Sequence, residues 1–124
     1  MNLFTKSIHE KPSAKDGKRL LTELFWPRGV WKQQAELADW MRQVAPSRGL
    51  LQQFQKGEID FQRYRSGYLL ELELDEEKRE AVESLLALTK KTVVTLVYST
   101  GNPAENSTAV LYEYLIKLQE ERDK

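Results

Sequence analysis

The sequence predicts an α/β layered fold in which a short, mostly parallel sheet is covered by about five helices. The clearest signal is the run TVVTLVY at residues 92–98, which is β-branched and almost continuously apolar. Such a run is typical of a strand covered on both faces. Helical periodicity follows this strand and also fills most of the chain between residues 32 and 91. A doubly covered strand followed directly by a helix favours α/β layers over an antiparallel sheet with one wet face.

Length and composition predict one domain spanning residues 1–124. The chain is 40% hydrophobic and 10% aromatic, and a domain near this length buries roughly 65–70% of the surface that its unfolded chain exposes. There is no cysteine, and His9 is the only histidine. A Cys/His zinc site, a thiol nucleophile and a Ser-His-Asp triad are therefore excluded or strongly disfavoured. We expect no cofactor and no bound metal.

The charge balance bears on partners and location. Nineteen basic residues balance nineteen acidic ones, whereas a dedicated nucleic-acid binder usually carries a net basic face. A local basic stretch is interpreted as a solvated loop; it consists of Lys11, Lys15, Lys18 and Arg19. The amino terminus lacks the features of a signal peptide, and no apolar run reaches the length of about 18 residues that a membrane span needs. We expect a cytoplasmic protein without nucleic-acid or membrane partners.

Two strands are predicted before the first helix. Residues 2–8 nearly alternate apolar and polar side chains, and residues 18–25 form a second short strand. The residues between them, 11–17, are typical of a turn. The second strand ends at Trp26-Pro27-Arg28-Gly29, because Pro27 favours an extended conformation for Trp26 and Gly29 permits backbone angles that other residues avoid.

Residues 32–44 are predicted to form an amphipathic helix that Ala45-Pro46-Ser47 ends. Four apolar residues share one helix face, at i, i+3, i+4 and i+7: Leu37, Trp40, Met41 and Val44.

Further helices are predicted from Ser47 to Gly57, over 59–72, after Asp75 and after the loop Ser99–Ser107. Ser47 and Asp75 are suitable N-caps for two of them. The last helix has apolar residues at helical spacing: Leu111, Tyr114, Leu115 and Leu118.

A pocket is predicted at the carboxyl ends of the strands, where open α/β sheets bind ligands. Two loops follow strands, Trp26–Gly29 and Ser99–Ser107, and they open on the same edge if the strands are parallel. The second loop leads into a helix amino terminus, which favours an anion. Asn102 is one possible N-cap of that helix, and Asn106 or Ser107 would be the N-cap of a later start. In the simpler interpretation these residues only start the helix.

Arg28 is the basic candidate for this pocket. A guanidinium held between proline and glycine suits a carboxylate or phosphate, and the alternative is an ion pair with Glu23 or Glu105. Ser99 is rejected as a nucleophile because no base and no G-x-S-x-G elbow accompany it. The predicted ligand-binding residues are Glu23, Trp26, Arg28, Tyr64, Tyr98, Ser99, Asn106 and Ser107.

From Trp26-Pro27-Arg28-Gly29 onward, the chain resembles the YeaO-like family (domain of unknown function 488). That family typically has a strand ending in Val-Asp-Arg-Leu-Trp-Pro-Arg-Gly, then a tryptophan-bearing helix and an Ala-Pro-Ser turn. Later matches are Arg63-Tyr64 and Thr95-Leu96-Val97-Tyr98. The resemblance covers nearly the whole chain and implies an α/β protein without an assigned activity or cofactor.

This chain departs from the family pattern at two places. The family usually has Asp-Arg where this chain has Glu23-Leu24, and it often has histidine at the position of Ser107. The resemblance therefore implies that an activity requiring that arginine or histidine is weakened or absent here.

Two functional hypotheses follow. The first is a domain that binds a small molecule or an anion, with Arg28, Tyr98 and Asn106 lining one pocket; whether it also catalyses a reaction stays open. The second is a non-enzymatic interaction protein or accessory subunit, in the form of a homo-oligomer or otherwise. Its motive is the absence of catalytic groups and the presence of Trp31 next to the turn, where an exposed aromatic side chain would mark a partner surface.

Overall fold

A computed structural model describes residues 2–124. The strands are β1 Leu3–Ser7, β2 Lys18–Leu21, β3 Asp39–Trp40 and β4 Val94–Tyr98. The helices are α1 Lys32–Ala35, α2 Arg48–Gln55, α3 Phe61–Leu74, α4 Glu76–Thr89 and α5 Ser107–Arg122. Single 3-10 turns occur at Ala14–Asp16 and Arg42–Val44.

The four strands form one sheet in the order β1-β4-β2-β3, and every neighbouring pair is parallel. The predicted α/β fold with a mostly parallel sheet is thus confirmed. Because the strands are parallel, the loops after β2 and β4 open on the same edge of the sheet. In the register, Leu20 of β2 lies opposite Leu96 of β4.

The predicted helix over residues 32–44 is wrong. Helix α1 ends after one turn at Ala35, since Glu36 has a left-handed backbone with φ of 47°. The chain then forms β3, which pairs with β2 as an edge strand.

The helical spacing in this segment comes from two cores rather than one helix face. Met41 and Val44 belong to the larger core, whereas Leu37 and Trp40 pack against the smaller one. The second strand is also shorter than predicted and ends at Leu21.

The two faces of the sheet have unequal cores. The larger core joins one face to α3, α4 and α5, and it includes Leu3, Leu20, Leu72, Leu85, Val94, Leu96 and Leu111. The smaller core on the other face consists of Ile8, Leu21, Ala35 and Val97, with Trp26, Val30, Leu37 and Trp40 packed around it. Strand β4 contributes to both cores, which explains its almost continuously apolar sequence.

The predicted N-caps of two helices are confirmed. The Ser47 side chain accepts a hydrogen bond from the Leu50 N–H, and the Asp75 side chain accepts one from the Lys78 N–H. Across residues 2–124, no helix has the length and the apolar content that crossing a bilayer requires.

Candidate functional site

A cavity of about 160 Å³ lies at the carboxyl edge of the sheet. It is bounded by the segment after β2, by α2 and α3, and by the loop between β4 and α5. Five predicted site residues line it: Glu23, Tyr64, Ser99, Asn106 and Ser107. The structure thus brings together side chains that are as many as 84 positions apart in the sequence, the difference between 107 and 23.

Glu23 connects the two loops at this edge. Its Oε2 accepts a hydrogen bond of 2.7 Å from the Ser99 N–H, and its Oε1 accepts one of 2.6 Å from the Ser99 hydroxyl. The indole N–H of Trp40 donates to the Glu23 carbonyl at 2.7 Å. Glu23 is therefore held at both its backbone and its carboxylate, with neutral donors only around the charge.

Tyr64 presents a neutral phenol to the cavity. Its ring stacks on Phe54, with centroids 4.3 Å apart and planes at 9°. Burial raises the pKa of Tyr64 to about 12, the carboxylates of Glu23 and Glu71 add to this effect, and Ser107 beside the hydroxyl acts in the opposite direction. The hydroxyl is consequently protonated across the physiological pH range and can donate or accept a hydrogen bond.

Asn106, rather than Asn102, is the N-cap of α5. Its Oδ1 accepts from the Ala109 N–H at 2.8 Å, and its Nδ2 donates to the Asn102 carbonyl at 2.8 Å. The Asn102 side chain instead accepts from the N–H groups of Ala104 and Glu105. Both polar atoms of the buried Asn106 amide are thus used in forming the loop and the helix start.

Three of the predicted residues do not line this cavity: Trp26, Arg28 and Tyr98. Trp26 donates from Nε1 to the Val30 carbonyl at 2.8 Å and packs edge-on against Trp40 at 5.5 Å. Arg28 is exposed, and within residues 2–124 no ion pair joins it to Glu23 or Glu105. The hypothesis that Arg28 and Tyr98 would share this cavity with Asn106 is therefore not met.

The apolar walls of the cavity were not predicted as site residues. They include Phe25, Pro46, Leu51 and Phe54. Leu51 and Phe54 lie in α2, and they become cavity walls because α2 packs beside the strand ends.

The lining of the cavity is acidic. It contains Glu23 and Glu105 but neither lysine nor arginine. The Arg48 guanidinium lies 5.6 Å from the ring centroid of Phe25, a wall residue, without being part of the lining. In the part of the chain that the structure describes, no three His, Cys, Asp or Glu side chains are grouped to hold a metal ion.

A second polar cluster is buried on the face of the smaller core. The Asp16 carboxylate accepts from Lys6 at 3.1 Å, from Arg19 at 2.8 Å and from the Ser13 N–H at 3.0 Å. Burial acts to raise the pKa of Asp16, but these hydrogen bonds together outweigh it and leave the pKa below its ordinary value. Arg19 is only 3% exposed, so the interpretation of the basic stretch as a solvated loop is wrong for this residue.

The parallel sheet, the helices and the cavity at its carboxyl edge define an α/β protein with one candidate binding site. The chain belongs to the inactive DUF488-N3 subclade, whose family model matches residues 2–124. This result confirms the resemblance to the YeaO-like family.

Several relatives are similar over most of their length. The "Uncharacterized protein YeaO" of Escherichia coli K12 is 32% identical over 118 residues, which are 95% of this chain and 100% of the relative. The "Uncharacterized protein Rv3073c" of Mycobacterium tuberculosis H37Rv and the "Uncharacterized protein Mb3100c" of Mycobacterium bovis are each 32% identical over 108 residues. Those matches cover 87% of this chain and 88% of each relative. No solved structure gives a significant match to the chain.

Proposed function

We propose that this protein binds a compact, single-ring molecule carrying nitrogen-bound hydrogen-bond donors in the cavity beside Glu23, without transforming it chemically. The main support for this proposal is the Glu23 carboxylate, which lines the cavity and accepts hydrogen bonds only from neutral donors. Each carboxylate oxygen has two acceptor sites, and Ser99 uses one on each. The remaining capacity suits an amine, an amidine or an amino-substituted heterocycle.

The shape and polarity of the cavity support this class of ligand. An engineered cavity of about 150 Å³ in another protein binds benzene, so the volume here is adequate for one ring. Phe25 and Phe54 supply aromatic walls, and Tyr64 and Ser107 supply hydroxyls. A few convergent polar groups in a largely apolar pocket are the usual composition of a small-molecule site.

The acidic lining favours a neutral or positively charged ligand over the anion that the sequence also allowed. A carboxylate or phosphate would approach Glu23 and Glu105 without a lining cation to compensate. Like charges at short range disfavour binding, and the effect is larger where water is excluded.

Binding without catalysis is supported by the residues that depart from the family pattern. Leu24 replaces the usual arginine, Ser107 replaces the frequent histidine, and both residues line the cavity. The subclade to which the chain belongs is described as inactive. The protein is also proposed to be cytoplasmic, a location in which stability does not rely on disulfides; the chain has no cysteine to form one.

Thermal unfolding with a ligand panel tests the proposal. The panel contains single-ring amines, amidines and aminated heterocycles, each with a matched carboxylate and phosphate. A ligand at 100 times its Kd stabilises the folded state by about 2.7 kcal/mol, which raises Tm by several degrees at this chain length.

The expected result is a shift with a nitrogen-donor ligand that is lost in Glu23→Gln and retained in Arg28→Ala. Arg28→Ala is the matched control because its side chain is exposed and outside the cavity. A shift with anions alone, lost in Arg28→Ala, would place binding at the turn instead. No shift across the panel would reject small-molecule binding.

A second candidate function is protein interaction, because Trp31 is 69% exposed. Large exposed aromatic side chains are enriched at binding hot spots. This function predicts that Trp31→Ser abolishes capture of a partner protein from cell extract while leaving Tm unchanged.

A further inference from the structure

Helix α3 carries an exposed apolar surface that the cavity does not use. Leu70 is 56% exposed and Leu74 is 75% exposed. With Arg63 and Gly67 they fall at i, i+4, i+7 and i+11, which is one stripe along the helix. The opposite side of α3 is buried and carries Tyr64, Tyr68 and Leu72.

A groove runs beside the amino-terminal half of this stripe, between α2 and α3. It is lined by Leu50, Ile59, Arg63, Gly67 and Leu70, among others. The two helices are close at Gly67, where a Cβ would lie 2.9 Å from a methyl carbon of Leu50 and would require that side chain to shift. Leu70 therefore borders the groove, which has both apolar and polar lining residues, and Leu74 lies beyond its carboxyl-terminal end.

The charged residues of α3 also differ between its two halves. Arg63 and Arg65 lie in its first half, and Glu71 and Glu73 lie in its second half. This order opposes the helix dipole, which favours acidic residues at the start and basic residues at the end. The adjacent α4 follows the usual order, with Glu76 and Glu77 in its first turn.

Two of these charges have no partner within residues 2–124. Arg65 pairs with Glu113 at 3.2 Å, and Glu71 accepts hydrogen bonds from Ser47. By contrast, Arg63 and Glu73 are exposed and form no ion pair in the described chain.

We propose that α3 is the interface of a homodimer, in which it pairs antiparallel with α3 of a second copy of this chain. A two-fold axis perpendicular to the helix near Gly67 sets each exposed Leu74 at the Ile59 end of the partner copy's groove. The same operation sets the basic half of each helix against the acidic half of the other. A surface that complements itself in both shape and charge fits an isologous contact. This inference is independent of the proposed ligand.

The contact is expected to be modest in size. Helix α3 has 14 residues, which is about 21 Å at a rise of 1.5 Å per residue. One such helix pair with the flanking groove belongs to the small, reversible class of interfaces. The dimer should therefore dissociate on dilution.

Sedimentation velocity over a dilution series tests the dimer. The parent chain should sediment as a dimer at high concentration, and the double variant Leu70→Ser, Leu74→Ser should remain a monomer. Both leucines are exposed, so the variant should have the Tm of the parent at concentrations at which both proteins are monomers. Trp31→Ser is the matched control, because it removes a large exposed side chain elsewhere and should leave the dimer intact.

A charge exchange tests the antiparallel orientation. Arg63→Glu and Glu73→Arg should each weaken the dimer at least tenfold, and the double exchange should restore it because the complementarity is re-formed. A parent chain that is monomeric up to roughly 1 mM, the Kd range of very weak association, overturns the proposal. So does a dimer that tolerates the leucine changes but is lost in Trp31→Ser, or a double exchange that fails to recover.

Discussion

Two carboxylates flank strand β2, and they differ in how fully the protein satisfies them. Asp16, before the strand, accepts four hydrogen bonds, two from Lys6 and one each from Ser13 and Arg19. Glu23, after the strand, accepts two, both from Ser99. An ionised carboxylate offers about four acceptor sites. Asp16 is therefore saturated, whereas Glu23 retains acceptor capacity at a cavity.

The partners differ in charge as well as in number. Asp16 lies between two cations and belongs to the interior of the smaller-core face. Glu23 has only neutral donors and lines the open cavity. A carboxylate that is saturated by cations stabilises a structure, and a carboxylate with spare acceptors can recognise a ligand. This difference is what distinguishes the candidate site from the structural cluster.

Removing Asp16 should have the largest effect on stability. Asp16→Ala leaves the cations Lys6 and Arg19 without their shared carboxylate, and breaking a buried ion pair costs about 3–5 kcal/mol. Urea unfolding should show this loss in the free energy of unfolding. The exposed Lys15→Ala, in the same 3-10 turn, should change it by less than about 0.5 kcal/mol. Equal effects of the two changes would contradict the structural role of Asp16.

Glu23→Gln should have a smaller effect on the free energy of unfolding. The amide oxygen still accepts one Ser99 bond, so the loss is about 1 kcal/mol, the usual value of a single hydrogen bond. The same variant should lose the binding of nitrogen-donor ligands completely. A loss of stability as large as that of Asp16→Ala would show instead that Glu23 is a structural residue.

The smallest predicted effect is on the pH dependence of the free energy of unfolding, to which Asp16 contributes. The folded-state pKa of Asp16 lies below the unfolded value of about 3.9. Its stabilisation is therefore complete above the unfolded pKa and is lost as the pH falls through the lower folded pKa. The free energy of unfolding of the parent should fall more steeply than that of Asp16→Asn below about pH 4.

Urea unfolding between pH 2.5 and 6, with both proteins in the same buffers, would measure this difference. Glu83, whose pKa is lowered mainly by its hydrogen bond with Arg122, acts in the same direction in both proteins and cancels in the comparison. Parallel curves for the parent and the variant would contradict the assigned shift.

The two faces of the sheet explain which elements could be predicted from sequence. Strand β4 and helices α3, α4 and α5 each have a residue pattern that belongs to a single regular element, and their positions were predicted closely. Residues 32–44 failed because Met41 and Val44 pack on one face of the sheet while Leu37 and Trp40 pack on the other. Spacing alone does not distinguish one helix face from two separate cores.

The candidate site was predicted in part for a similar reason. Strand-end loops indicated Glu23, Ser99, Asn106 and Ser107, because parallel strands bring their carboxyl ends to one edge. Arg28 was attractive for its rigid flanking residues, but the turn directs it to solvent, outside the cavity.

By itself, the sequence determined the α/β class, the helix caps at Ser47 and Asp75, the buried nature of β4 and the family of the chain. These properties depend on residue types within short segments, where local hydrogen bonds and periodicity are sufficient. The tertiary structure alone decided that Asp16 is saturated and Glu23 is not. That distinction depends on Lys6 from β1 and Ser99 from the loop after β4, and distances between distant segments are set by packing rather than by spacing along the chain.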